Sequence, residues 1–117
     1  MSAEKKISDS EFFSKICNLR EMQKRYFKGR RIEVLNACKE LEKDFDSIIN
    51  SNTIESYRDS KIFTLINLSA IMRYKQTQYF ATKNDTYKHD AKDYERRVDV
   101  AIISIKHINE PEQLKLF

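Results

Sequence analysis

Two stretches of the chain, LREMQKRYF at residues 19–27 and MRYKQTQYF at residues 72–80, carry the same pattern Arg-x-x-Gln-x-x-Tyr-Phe at an offset of 53 residues. At this offset the chain aligns with itself over residues 19–46 without a gap. Seven of these 28 positions are identical, where ordinary residue frequencies would give about two. The identical pairs are Arg20 with Arg73, Gln23 with Gln76, Tyr26 with Tyr79, Phe27 with Phe80, Lys39 with Lys92, Glu42 with Glu95, and Asp46 with Asp99. Most of these pairs are polar, which helix amphipathicity does not require, so an internal repeat is predicted.

Each copy of the predicted repeat, residues 12–49 and residues 65–102, has the pattern of a helical hairpin, because apolar residues recur at helical spacing. The first helix is predicted to begin after Ser8, a capping residue with Glu11 three positions on. It is predicted to end at Gly29, where a C-terminal cap residue belongs. The other helices are predicted over about residues 31–49, 54–82 and 86–110, and Pro111 stops the last of them.

Glycine and proline are nearly absent, with one of each in 117 residues. Sheets and loop-rich folds need many turn residues, so this composition favours helices that are joined by short connections. The length suits one domain with one core. The sequence therefore predicts an all-α protein, a four-helix bundle made of two repeated helical hairpins, with residues 1–117 as a single domain.

Composition and spacing also argue against several classes of protein. No apolar run approaches the ~20 residues of a membrane span, and the N-terminus lacks the apolar segment of a secretory signal, so a cytoplasmic location without membrane contact is predicted. Cys17 and Cys38 are then predicted to be reduced and buried. These cysteines, with the lone His89 and His107, do not have the spacing of a zinc site. The sequence contains no recognisable catalytic triad or glycine-rich phosphate loop, so no metal, cofactor or catalytic residue is predicted.

The repeated polar residues have two interpretations. Side chains on a helix lean toward its N-terminus, so Arg20 and Glu42 are predicted to converge and pair, and Arg73 and Glu95 likewise. As structural pairs they would set the register of each hairpin. As a binding site they would line a cleft for a small anionic ligand such as a nucleotide. The candidate ligand-binding residues are Arg20, Gln23, Tyr26, Lys39, Glu42, Arg73, Gln76, Tyr79, Lys92 and Glu95.

A basic run, KRYFKGRR at residues 24–31, holds five Lys or Arg in eight residues. Such a run can contact nucleic-acid phosphates, and a solvated helix end is the alternative interpretation. The candidate nucleic-acid-binding residues are Lys24, Arg25, Lys28, Arg30 and Arg31. The net charge of +4 permits acidic partners without demanding them.

The order R-x-x-Q-x-x-Y-F followed by K-x-x-E-x-x-x-D runs from Arg20 to Asp46 and again from Arg73 to Asp99. It resembles small helical proteins of bacteriophages and of mobile elements of gut-type bacteria. The resemblance covers about half of the chain, in two blocks. It implies a bacterial or phage cytosolic setting and an accessory role, and it transfers no activity.

The function predicted from the sequence is a non-enzymatic protein-interaction module. It would be a phage or mobile-element accessory protein that binds or inhibits a bacterial protein or assists assembly. Two alternatives stay open: a binder of a small anionic ligand, and a weak nucleic-acid binder that uses residues 24–31. A homo-oligomer is compatible with the sequence.

Overall fold

The computed structural model describes residues 7–51 and 54–109, and this part of the chain is helical and contains no strand. The helices are α1 (Asp9–Gly29), α2 (Ile32–Ser51), α3 (Phe63–Thr82) and α4 (Asp85–Asn109), with a short 3-10 helix at Ile54–Tyr57. Helix α1 pairs with α2 and α3 pairs with α4, so the described residues form a four-helix bundle of two hairpins. The predicted fold class is confirmed. Pro111, the predicted stop of α4, lies outside the described residues.

The start of α1 is capped as the sequence predicts, because the Ser8 hydroxyl accepts a hydrogen bond from the backbone N–H of Glu11 at 3.1 Å. The helix ends at Gly29 as predicted, but the prediction that Gly29 is the cap residue is wrong. Gly29 is the last helical residue and has no positive φ, while Arg30 takes the left-handed conformation with φ 57°. Lys83, the equivalent residue after α3, has the same φ of 57°.

The repeated Tyr-Phe pair accounts for these two unusual helix ends. The Arg30 guanidinium lies 5.5 Å from the centroid of the Tyr26 ring and 5.4 Å from that of Phe27. The Lys83 ammonium lies 5.4 and 5.3 Å from the centroids of the next such pair, Tyr79 and Phe80. Cation–π contacts of about 0.5–1 kcal/mol each offset part of the cost of a left-handed non-glycine residue.

The third helix begins later than predicted, at Phe63 instead of Ile54. The chain first forms the 3-10 helix, and Tyr57 at its end turns into the core. The Tyr57 ring packs edge-on against Phe12, with 5.1 Å between centroids. Ile62 is also buried, so the segment between them is held at both ends and the α-helix starts only afterwards.

The core runs through both hairpins. Its buried apolar members are Phe12, Ile16, Leu19, Phe45, Ile48, Tyr57, Ile62, Leu65, Ile66, Met72, Val98 and Ile102. Both cysteines are free; Cys38 is buried as predicted, whereas Cys17 is only partly buried. Within the described residues, none of the helices is both long and apolar enough to cross a bilayer.

Ser69 is a polar residue in this otherwise apolar part of the core. Its side chain is fully buried and its hydroxyl oxygen has no hydrogen-bond partner in the part of the chain that the structure describes, whereas the equivalent residue in α1 is Ile16. Removing a buried polar group that makes no hydrogen bond should relieve its desolvation cost.

We expect Ser69→Ala to raise the free energy of unfolding by about 1–2 kcal/mol in urea denaturation. Exposed Ser14→Ala in α1 is the matched control, which gains only helix propensity, ~0.5 kcal/mol. Equal gains in both variants would contradict this account.

Candidate functional site

The repeated polar residues meet in one cluster between the two hairpins, which we name the polar layer. Its members are Arg20, Gln23, Glu42, Asp46, Arg73, Gln76, Glu95 and Asp99, two from each helix. The arginine and glutamine side chains are buried, and so is Glu95. Buried polar groups are costly unless they are paired, so their partners decide what the cluster does.

Each arginine of the polar layer is bound by two oxygens of an aspartate in the other hairpin. Arg20 donates from Nε to Asp99 Oδ1 at 2.8 Å and from Nη2 to Asp99 Oδ2 at 3.0 Å. Arg73 donates from Nε to Asp46 Oδ1 at 3.0 Å and from Nη2 to Asp46 Oδ2 at 2.8 Å. This two-point geometry is the strongest form of ion pair that a guanidinium makes. Both pairs bind one hairpin to the other.

The predicted pairing within each hairpin, Arg20 with Glu42 and Arg73 with Glu95, is therefore wrong. Glu42 instead accepts from Gln23 Nε2 at 2.9 Å, and Glu95 accepts from Gln76 Nε2 at 2.8 Å. Glu42 Oε2 also lies 3.6 Å from Arg73 Nη1, again across the two hairpins. The lean of side chains within one hairpin does not reveal a carboxylate that the other hairpin supplies.

The two glutamines form the centre of the polar layer. Gln23 Oε1 accepts from Arg20 Nη1 at 2.7 Å, and Gln76 Oε1 accepts from Arg73 Nη1 at 2.7 Å. The amides also bond each other, with Gln23 Nε2 3.1 Å from Gln76 Oε1 and the reverse bond at 3.4 Å. Because equivalent residues meet each other here, the contacts support a pseudo-two-fold relation between the hairpins. The superposition of residues 12–49 on 65–102 stays a prediction.

The electrostatics of the polar layer agree with this pairing. Burial by itself would raise the pKa of Asp99, but the hydrogen bonds and charge of Arg20 hold it below its usual value. Burial would likewise lower the pKa of Arg73, and its hydrogen bond to Asp46 with the charges of Glu42 and Asp46 raises it instead. Both charged forms are therefore stabilised by the fold.

Cys38 borders the polar layer, with its Sγ 3.6 Å from Glu42 Oε2. Burial, and after it the Glu42 charge, raises the pKa of the Cys38 thiol to about 12. The thiolate is the reactive form of cysteine, so the Cys38 thiol stays protonated and unreactive at neutral pH.

The remaining candidate ligand-binding residues do not join the polar layer. Tyr26 and Tyr79 hold the cations at the helix ends. Lys39 is exposed. The Lys92 ammonium lies 4.3 Å from the centroid of the Phe27 ring and 3.6 Å from Glu95 Oε1. Because the charged groups of the layer bind each other, the geometry favours the structural interpretation of the repeated residues.

A second feature, the basic groove, lies between α1 and α4 and has a volume of about 330 Å³. It is lined by Cys17, Arg20, Glu21, Lys24, Arg25, Lys28, Ile102 and Lys106. Lys24 Nζ lies 3.4 Å from Asp99 Oδ2. Arg25, Lys28 and Lys106 form no ion pair with any residue that the structure describes. Glu21 is the only carboxylate in this lining, so the groove keeps a net positive charge among the described residues.

The other hairpin interface holds an equivalent groove of about 340 Å³ between α2 and α3, which we name the neutral groove. It is lined by Phe45, Asp46, Ile49, Asn50, Ala70, Arg73, Tyr74 and Thr77. Its only charged lining residues, Arg73 and Asp46, bind each other. At the positions of Lys24, Arg25 and Lys28 the second repeat has the uncharged residues Thr77, Gln78 and Ala81. The charges of Lys24, Arg25 and Lys28 therefore occur in the first copy of the repeat alone.

The structure divides the predicted nucleic-acid-binding residues into two groups. Lys24, Arg25 and Lys28 lie together in the basic groove. Arg30 instead stacks on the rings at the helix end, and Arg31 lies 3.4 Å from Glu33.

Sequence reasoning missed three contributors to these features. Asp46 and Asp99 are the carboxylates that bind the arginines. The sequence signal for them was that both copies of the repeat hold aspartate at this position. Lys106 joins the basic groove from α4, and no motif in the sequence connects it to residues 24–31.

A comparison of this chain with protein-family models, curated proteins and solved structures finds no match.

Proposed function

We propose that this protein is a non-enzymatic binding module that holds an anionic partner in the basic groove between α1 and α4. One observation carries the proposal: the cations Arg25, Lys28 and Lys106 line one groove and form no ion pair among the described residues, although Glu21 is also in the lining. Like charges held close together repel one another, so such a cluster attracts an anion that relieves the repulsion.

The difference between the two grooves supports this proposal. The polar layer occurs in both copies of the repeat and its groups satisfy each other, as expected of a scaffold. Arg25 and Lys28 have no basic counterpart in the second copy, and neither they nor Lys106 form an ion pair with the polar layer. A surface that differs between two copies of one scaffold is the better candidate for the function.

The test is retention on immobilised heparin, a generic polyanion. A groove variant with Arg25, Lys28 and Lys106 all changed to Ala is compared with a control variant in which the exposed Lys43, Lys61 and Lys88 are changed to Ala. Both variants have a net charge of +4 − 3 = +1, so they differ only in where the charge is lost. We expect the groove variant to elute at much lower salt than the control. Equal elution of the two variants would contradict a specific groove.

A protein partner is the second candidate, and the exposed apolar side chains favour it. The large hydrophobic residues with substantial exposure are Phe27, Ile32, Tyr74, Phe80, Val100 and Ile103. Val100 and Ile103 lie one turn apart on α4, as a small apolar patch on a helix face. The accessory role in a phage or mobile-element setting, the cytoplasmic location and the protein partner stay predictions from the sequence.

A further inference from the structure

We infer that the anionic partner of the basic groove is single-stranded nucleic acid, bound by its phosphates in the groove and by a base on Phe27. This inference rests on the proposed function and names the ligand class. It has three parts: the type of cation in the groove, the aromatic ring at its end, and the neutral groove as an internal comparison.

The groove has the composition of a phosphate site rather than of a protein interface. Its unpaired cations are one arginine and two lysines against one carboxylate, Glu21, and its lining includes no aromatic side chain. Interface centres are enriched in aromatic residues and depleted in lysine, and their strongest contacts come from Trp, Tyr and Arg. Lysine binds phosphate well as a point charge. Lys24 and Lys28 are four residues apart, about 6 Å along α1, so the cations follow a line rather than a single point.

The groove leads to an exposed aromatic ring. Phe27 is seven residues after Arg20, two turns along the same face of α1, so it lies about 10 Å beyond Arg20 on the line of the groove. Lys92 of α4 lies over the ring at 4.3 Å from its centroid, which places Phe27 at the seam between α1 and α4. The residue is 41% exposed. Arg30 also lies over the ring, at 5.4 Å from its centroid, and because Lys92 is 3.6 Å from Glu95, Arg30 is the further cation at this end without an ion pair among the described residues.

Single-stranded nucleic acid has the chemistry that this surface offers. Proteins that bind single strands combine a positively charged groove along the backbone with aromatic rings on which bases stack. In a duplex the bases are already stacked on each other and a lone ring cannot reach their faces. An acidic peptide would use the cations and leave Phe27 without a specific role. The exposed Phe27 ring therefore distinguishes a single strand from a duplex and from an acidic peptide.

The experiment measures fluorescence anisotropy of a labelled thymine oligonucleotide of about 15 nucleotides with the full chain and its variants. We expect the single strand to bind more tightly than a duplex of equal length, and polyglutamate to compete weakly. Each phosphate contact should contribute about −0.7 to the slope of log K against log salt. The groove variant lacks three cations, so its slope should be shallower by about 2. Phe27→Ala should weaken binding about 5- to 150-fold without changing the slope, as expected for one lost stacking contact.

The second repeat supplies the matched control. Phe80 is the residue equivalent to Phe27, it is 61% exposed, and it extends from the face that lines the neutral groove. Phe80→Ala should bind the oligonucleotide like the wild type, and melting curves should show both variants folded. If Phe27→Ala binds normally, or if the duplex or polyglutamate binds as tightly as the single strand, the inference is wrong while the groove stays an anion site. If the groove variant also behaves like its control on heparin, the proposed function is wrong as well.

Discussion

Replacing Arg20 by alanine should lower the free energy of unfolding by about 3 kcal/mol, and replacing Arg73 should lower it by about 2–3 kcal/mol. Each change leaves a carboxylate without the guanidinium that binds it at two points. These losses lie at or below the low end of the range for breaking a buried ion pair, because the carboxylates are partly hydrated: the side chains of Asp99 and Asp46 are 23% and 36% exposed. For a domain of this size the melting temperature should fall by about 10 °C.

Thermal and urea denaturation measure this effect, and Arg96→Ala is the control. Arg96 pairs with Asp93 on the exposed surface of α4, so its loss should cost about 0.3–0.5 kcal/mol. Combining Arg20→Ala with Asp99→Ala should recover part of the stability, because the second change removes the stranded charge. Melting of Arg20→Ala that matches Arg96→Ala would refute the structural role of the polar layer and favour the ligand interpretation.

Replacing Gln23 by leucine should destabilise the protein by roughly 3 kcal/mol, since one side chain serves three partners in the buried layer. Gln23 accepts from Arg20 and donates to Glu42 and to Gln76. Leucine fits a similar volume but satisfies none of these groups. Denaturation in urea measures the loss.

The control for this change is Gln78→Leu, since the Gln78 side chain forms no hydrogen bond among the described residues. It should change stability by less than about 0.5 kcal/mol. The double variant with Leu at both Gln23 and Gln76 should lose less than the sum of the single variants, because the two amides bind each other. Strict additivity would show that the amides do not act together.

The helices and their pairing could be predicted from the sequence because they depend on local patterns. Ser8 caps α1 through the N–H three residues on, and the apolar stripe of each helix recurs every three or four residues. The C-terminal cap of α1 was predicted at Gly29 and lies at Arg30 for a physical reason. The Arg30 guanidinium stacks on Tyr26 and Phe27. This contact offsets part of the cost of the left-handed backbone conformation, which the sequence pattern assigned to glycine.

The internal repeat identified the residues of the polar layer but not their partners. Asp46 and Asp99 were visible as identical positions, yet their role depends on which hairpin faces which. The same limit applies to Lys106, which reaches the basic groove only because α4 packs beside α1. Periodicity places side chains on a face of a helix, and it says nothing of what the next hairpin brings to that face.

The sequence by itself therefore determined the all-α class, the hairpins and the set of residues that the two copies share. Tertiary structure alone decided that Arg20 binds Asp99 and that the charges of the basic groove gather in one place. The physical reason is the range of the interactions: capping and amphipathicity act within one or two helical turns, whereas a buried ion pair forms between whichever charges the packing brings within hydrogen-bond distance.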